Sequence, residues 1–488
     1  MFQLFHLSTE KSTSLQQQLR EQIAAAILNG NIPQDSPLPS SRKLAKQLCI
    51  ARNTVVLAYE HLLDDGYLIA RERSGYFVNP EILSRQPEMP AKENPLEGGH
   101  PPDWVHKLKI HPSRQHNITK PKDWQKYPYP FIYGQFDPSL FPSNNWRECC
   151  RDAVSVPAIR DWASDRFDND DPLLIEQIRT RLLPRRGVWA SADQILVTVG
   201  AQQALYMLAR LLLDKDSTIG LEDPGYVDIR NIATMNPAKV RALPVDEQGL
   251  IVDERLEGCD LVYTTPSHQC PTTVTMPLER RYALLDKASE QDFLIIEDDY
   301  ESESNFRTNP IPALKSLDKN DRVLYVGSLS KTLAPGLRLG YLVGPAALIR
   351  EARALRRLIL RHPAANNQRS VALFLERGYH DALIMNIAKA YEERWQEMGA
   401  ALDEYLPSSS RQPSFGGSCY WVRGPEGLDS RLLRKEAADR GILIEPGDIH
   451  FLAEPVPLNY FRLGYSSIAA SKIRPGIKAL VELIQDMV

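Results

Sequence analysis

Apolar residues recur at helical spacing near the start of the chain. Leu15, Leu19, Ile23, Ile27 and Leu28 share a face, and Asn29-Gly30 marks where the helix ends. A second periodic stretch opens at Ser40, an N-cap residue type, and runs through Ser41-Arg42-Lys43-Leu44-Ala45-Lys46-Gln47-Leu48, with Arg42 and Lys46 four apart on one side. After a tight turn at Cys49-Ile50, a third helix is predicted from Arg52 to Leu63, its apolar face formed by Val55, Val56, Tyr59, Leu62 and Leu63. Asp65-Gly66 then turns the chain into two short β-like runs, Tyr67 to Arg71 and Gly75 to Val78, with Arg71, Arg73, Ser74 and Gly75 at the tip. Two short helices joined by a tight turn form a helix-turn-helix, whose second helix is shaped to enter a DNA major groove.

The pattern changes at residue 80. Prolines crowd residues 80–130 and block long helices and central strands, so this stretch reads as a linker. Lys107, Lys109, Arg114, Lys120, Lys122 and Lys126 face only Asp103 and Asp123 in its middle. This favours a solvated segment that packs partly through Trp104 and Trp124, with DNA phosphates as a second possible partner. His100, His106, His111 and His116 have neither one-face nor zinc-pair spacing, so no metal site is expected. Helical and strand patterns then alternate over residues 131–488, which argues an α/β architecture.

Composition adds bounds. A chain of 488 residues suggests two or three domains, and 43% apolar and 25% charged residues with net charge -4 describe a globular protein without bulk affinity for nucleic acid. Residues 1–79 hold eight Lys/Arg and seven Asp/Glu, so DNA binding rests on the local pattern alone. No apolar run has transmembrane length, and Met1 to Glu10 lacks a signal peptide's features. The six cysteines show no Cys-x-x-Cys spacing, which favours reduced thiols in the cytoplasm.

The candidate chemistry centres on Lys331, which follows a strand-like apolar run, Arg322 to Val326, and precedes Arg338. A lysine beside an apolar run and near a second cation has a lowered pKa and becomes a nucleophilic amine. Ser328, Ser330 and Arg338 are donors suited to a phosphate monoester. An aldehyde and a phosphate on one molecule point to pyridoxal 5'-phosphate (PLP). Four further stretches stand in order. Gly200-Ala201-Gln202 ends a strand and opens a helix, as phosphate sites do. Tyr226 sits in a turn where it can stack on a flat ring. Asp298 and Tyr300 share a face at the end of an apolar strand, and a carboxylate there holds a pyridine nitrogen protonated. Arg462 interrupts an apolar strand, with a ligand carboxylate and an internal salt bridge as its two candidate partners.

Residues 1–79 resemble the winged helix of GntR-type bacterial regulators, and about residues 131–488 resemble the fold-type I aminotransferases. The combination, with Thr264-Thr-Pro-Ser-His-Gln269 and Glu297-Asp-Asp-Tyr300, is similar to the MocR/GabR subfamily. That resemblance implies that Ser41, Arg42, Arg52, Asn53, Thr54 and the wing tip, Arg71, Ser74 and Gly75, face operator DNA. It implies that Lys331 carries PLP as an internal aldimine, Asp298 holds the pyridine nitrogen, Tyr300 bonds the ring oxygen and Tyr226 stacks on the ring. Gly200, Ala201, Gln202, Ser328, Ser330 and Arg338 would hold the phosphate, and Arg462 the effector's acid group. It implies a head-to-tail homodimer. Relative to those families, Cys49 replaces a usual glycine, Ala51 a usual serine cap, and Cys270 and Thr273 depart from an Asn-Pro-Thr-Gly stretch, leaving open which of His268, Gln269 or Cys270 contacts PLP. The reading is a regulator, not an enzyme, that senses an amine or amino acid by external aldimine formation at Lys331. A working aminotransferase with a DNA-binding domain is the alternative. An interaction protein that keeps the fold without cofactor is disfavoured by the intact Lys331, Asp298 and Arg338.

Overall fold

The computed structural model describes residues 5–8, 13–34, 36–72, 74–84, 102–301, 303, 311–407, 409–411 and 416–488. Arg73 and His100 lie outside them. The chain divides into two compact units, Met1–Leu108 and Lys109–Val488.

In the first unit, α1 (Leu15–Leu28) is capped by the Ser14 hydroxyl, which accepts from the Gln17 amide. Helix α2 (Ser41–Leu48) starts on Ser40, whose hydroxyl accepts from the Lys43 amide at 3.3 Å. Helix α3 (Arg52–Asp64) and the antiparallel strands β1 (Leu68–Arg71) and β2 (Gly75–Val78) complete the winged helix-turn-helix. Leu19, Ile23, Ile27, Leu44, Val55, Tyr59 and Leu62 form its core. Ala58 is buried on α3, whereas Val56 and Leu63, expected on that face, are half-buried.

Both departures from the regulator pattern have visible consequences. Cys49 ends α2 with φ 54°, the left-handed region that disfavours a side chain with a β-carbon. Ala51 occupies the N-cap of α3 and offers no side-chain acceptor.

The second unit holds an eight-stranded sheet in the order Ile195–Thr198, Gly340–Val343, Val323–Ser328, Leu294–Asp299, Leu261–Thr264, Thr218–Asp223, Lys239–Asp246 and Gly249–Leu250. Five strands run parallel, and Gly340–Val343 runs against both its neighbours. Its central strands are buried on both faces, which explains near-continuous apolar runs such as Leu294-Ile295-Ile296. A four-stranded sheet follows, in which Glu445–Pro446 and Cys419–Arg423 flank Tyr460–Gly464. This is the expected α/β class.

The linker reading needs correction at its C-terminal end. Tyr129–Pro130 pairs with Ile442–Leu443, and residues 115–120 are tied by hydrogen bonds to the large unit. Lys120 is not a solvated charge: its ammonium donates to the Tyr133 carbonyl and pairs with Glu445. Trp124 is half-buried as expected, but Trp104 is 68% exposed and anchors nothing.

The uncapped start of α3 leads to a prediction. Ala51→Ser should stabilise α3 by about 1 kcal/mol. Amide hydrogen exchange along α3 that proceeds by local opening should slow about fivefold.

Candidate functional site

Three consecutive carboxylates end the strand Leu294–Asp299, and all are buried. Strand alternation sorts them. Glu297 accepts from the amides of Leu314 and Lys315, at 2.7 and 2.8 Å. Asp299 accepts from Arg186 and from the Tyr325 hydroxyl, both at 2.8 Å. Burial pushes the Asp299 carboxyl up, and Arg186, Ser267 and Tyr325 outweigh it, leaving it below its ordinary value.

Asp298 faces the other way. Its Oδ2 accepts from Tyr263 at 2.9 Å, while its buried Oδ1 finds no hydrogen-bond partner among the described residues. Burial raises its pKa to about 7 although Tyr263 opposes this. Asp298 lines a cavity of about 520 Å³. Buried polar atoms are nearly always satisfied, so an orphan on a cavity-lining residue marks a place for a donor from outside the chain.

The cavity gathers Gly200, Ala201, Gln202, Tyr226, Asp298, Tyr300, Ser328, Ser330, Lys331, Arg338 and Arg462, which come from separate parts of the chain. Lys331 is half-buried, and its Nζ lies 3.1 Å from the Tyr133 hydroxyl and 4.2 Å from that ring's centre. Burial, with Arg462 adding, lowers its pKa, while Glu301 opposes. The amine is therefore biased toward its neutral, nucleophilic form.

The phosphate-type corner is built at a helix start. Gly200 has φ 72° and opens the helix Gly200–Leu212 at the cavity wall. A β-carbon there would stand 3.4 Å from the Arg338 guanidinium carbon. Helix N–H groups, a guanidinium and the hydroxyls of Ser328 and Ser330 together suit a phosphate. Ser330 Oγ meanwhile donates to the Leu339 carbonyl at 3.2 Å.

Other residues differ from expectation in their partners. The Tyr300 hydroxyl donates to the His268 carbonyl at 2.9 Å, so its proton is already engaged. Tyr226 Oη lies 2.9 Å from Asp228 and 3.1 Å from Gln202. Of the three residues left open, Cys270 lines the cavity, whereas the Gln269 amide is turned to Glu222, Pro224 and Cys270 carbonyl or carboxylate oxygens. Thr273, in the glycine's place, has φ 64°. Arg462 reaches the cavity but also has the internal partner: its Nη2 and Nε lie 2.6 and 2.8 Å from Glu445 Oε2. Sequence reasoning missed Asn117, Ile118, Lys120, Tyr133, Gly134, Asp228 and Pro335 in the wall. None has a motif, and the first three sit in a stretch whose prolines pointed to a linker.

In the first unit, Arg42, Arg52, Asn53, Arg71, Ser74 and Gly75 are exposed, and Ser41 and Thr54 half-buried. Arg52 Nε comes within 3.5 Å of Ser41 Oγ, joining the starts of α2 and α3, while Arg71 lies over the Phe77 ring at 4.4 Å. No group of residues suited to hold a metal ion occurs among the described residues.

A model of the class I and II aminotransferases matches residues 168–480, and one of the gntR family of bacterial regulatory proteins matches residues 15–78. The chain is 41% identical over 483 residues, 99% of each chain, to the HTH-type transcriptional regulator TauR of Rhodobacter capsulatus. It is 30% identical over 480 residues to the probable rhizopine catabolism regulatory protein MocR of Rhizobium meliloti, covering 97% of this chain and 94% of that one. Two solved structures share its larger fold at TM-score 0.69. One is an archaeal alanine:glyoxylate aminotransferase, 28% identical, covering 73% of this chain and 91% of that one. The other is the kynurenine aminotransferase of Pyrococcus horikoshii, 27% identical, covering 78% and 98%.

The elevated Asp298 pKa has a signed consequence. A carboxyl whose folded pKa is raised from 3.8 to about 7 binds its proton more tightly folded than unfolded. Its contribution therefore weakens the fold as pH rises through that window. In cofactor-free protein, Asp298→Asn should be more stable than wild type at pH 8, with the difference shrinking toward pH 4. Chemical denaturation at the two pH values measures this.

Proposed function

The chain belongs to the class I and II aminotransferases through its larger part and carries a GntR-type DNA-binding segment, the MocR/GabR pairing; from that premise we propose that it is a cytoplasmic transcription regulator that senses an amine or amino acid through PLP held at Lys331. In this reading residues 1–79 read DNA, residues 80–130 connect with their C-terminal end built into the large unit, and residues 131–488 sense the effector. The observation that carries it is one cavity lined by both half-buried Lys331 and Asp298, whose buried Oδ1 has no hydrogen-bond partner among the described residues.

The residues present fit that cofactor. Gly200, Ala201, Gln202, Ser328, Ser330 and Arg338 hold its phosphate, and Tyr226 packs on its ring. Asp298 would accept a hydrogen bond from the protonated ring nitrogen at its free Oδ1. When bound, PLP supplies an aldehyde that combines reversibly with primary amines. Lys331, its pKa lowered by burial, is the amine an effector must replace. Arg462 presents a planar guanidinium to the effector's acid group.

An effector shifts a protein between states only by its difference in affinity for them. The reading therefore needs a site that binds and exchanges without turning over. Arg52, Asn53 and Thr54 open α3, where side chains reach base edges, and Ser41 and Arg42 join them. Arg71, Ser74 and Gly75 present the wing. A head-to-tail homodimer provides two such readers for two half-sites. The second reading, a working aminotransferase, is favoured by the intact Lys331–Asp298–Arg338 constellation. Against it stands the end-to-end 41% identity to a transcriptional regulator.

Borohydride treatment of PLP-loaded protein should attach the pyridoxyl group to Lys331, and Lys331→Ala should lose both that label and the visible absorbance. A label elsewhere in wild type overturns the assignment. Arg52→Ala should weaken operator binding by roughly 1–3 kcal/mol and relax specificity locally. Sustained turnover of an amino acid with a keto acid, near the enzyme median of about 10 per second, would establish the second reading instead.

A further inference from the structure

The segment that leads into the large unit passes through the cavity wall. Gln115 Nε2 donates to the Asn231 carbonyl at 2.8 Å, and Asn231 Nδ2 donates to the His116 carbonyl at 2.8 Å. Thr119 accepts from Arg434 at 2.9 Å. Between these ties, Asn117, Ile118 and Lys120 line the cavity.

Lys120 and Lys331 are the lysines of that lining. A β-carbon on Gly134 would stand 3.2 Å from Lys331 Nζ and 3.6 Å from Lys120 Nζ, so the two amines flank one glycine. Lys120 Nζ lies 3.2 Å from Glu445 Oε1, and Arg462 takes Glu445 Oε2. Glu445 stands directly opposite Arg462 in the sheet register. One carboxylate is thus shared by two cations, in a place where Glu445 and Arg462 are buried and the Lys120 side chain is 23% exposed. All three cations gather on Tyr133, with Arg462 at 4.0 Å and Lys120 at 5.6 Å from its ring centre.

With Lys120 protonated, the Lys120–Glu445–Arg462 group carries one surplus positive charge; burial lowers the Lys120 pKa and the adjacent Glu445 opposes that shift. Holding an uncompensated charge away from water is unfavourable, and a single negative charge from a ligand relieves it. Arg338 sits at the helix start, where the phosphate corner is, and Lys331 is the reactive amine.

We infer that Lys120 is a second anion anchor of the effector site, bridging with Arg462 to the single acid group of an amino acid ligand, so that occupancy is felt directly by the segment leading from the DNA-binding unit. This deepens the proposed function and rests on it.

The test uses full-length PLP-loaded protein, titrated with β-alanine and with n-propylamine while the visible spectrum is followed. The two probes share the amine and differ in the acid group. Lys120→Met should weaken β-alanine binding roughly tenfold or more, as loss of a charge-assisted hydrogen bond does, and leave n-propylamine binding within about twofold. Lys120→Arg should recover most of the loss. Glu445→Gln should act oppositely and tighten β-alanine binding, because it frees both cations, and it serves if Lys120→Met does not fold. Amide exchange over residues 115–120 should slow on adding β-alanine to wild type and not to Lys120→Met. Equal β-alanine affinity in wild type and Lys120→Met overturns the inference while leaving the PLP reading intact. An equal loss for both probes also overturns it, since it marks a structural role. Wild-type protein that holds no PLP overturns both.

Discussion

Burying Glu297, Asp298 and Asp299 in a row costs several kcal/mol for each charge that lacks compensation. The large unit is arranged around that constraint. Glu297 accepts from two backbone amides, and Asp299 accepts from Arg186 and Tyr325 at one oxygen, Oδ2. Asp298, on the opposite face, receives one bond from Tyr263 and keeps one oxygen free. The same strand thus anchors the fold with two acids and exposes the third to the cavity. The alternation of a β-strand makes this division possible, because neighbouring residues never share a face.

Around the cavity, positive charge is distributed by a similar logic. Arg338 stands beside Gly200 at a helix start, Lys331 is half-buried against Tyr133, and Arg462 is paired with Glu445 across two adjacent strands. Glu445 also meets Lys120. The arginine read from the sequence as a lone cation in an apolar strand is therefore one member of a three-residue group. Its internal partner and its access to the cavity coexist.

Two local features show how sequence departures translate into geometry. Cys49 and Thr273 both stand where the resembled families have glycine, and both adopt positive φ, at 54° and 64°. The backbone of each turn is kept even though the side chain resists it, which means the surrounding contacts determine the turn more strongly than the residue's own preference. Ala51 leaves α3 without a side-chain cap, yet the helix forms, because Val55, Ala58, Tyr59 and Leu62 bury its apolar face.

The sequence by itself determined the winged helix-turn-helix and the α/β class, and it singled out three residues at element ends, Gly200, Asp298 and Lys331, that line one cavity. These are local matters, set by periodicity, capping residues and the ends of apolar runs. Only the tertiary structure decided which atoms of those residues remain free. It showed that the Tyr300 proton is engaged by the His268 carbonyl, that Cys270 rather than Gln269 reaches the cavity, and that Arg462 has Glu445 as a partner. It also moved Lys120 from a solvated linker into the wall of the site. Proline spacing reports that a stretch forms neither helix nor central strand. It carries no information about what that stretch packs against, because the contacts of Lys120 with Tyr133 and Glu445 join residues far apart in the chain.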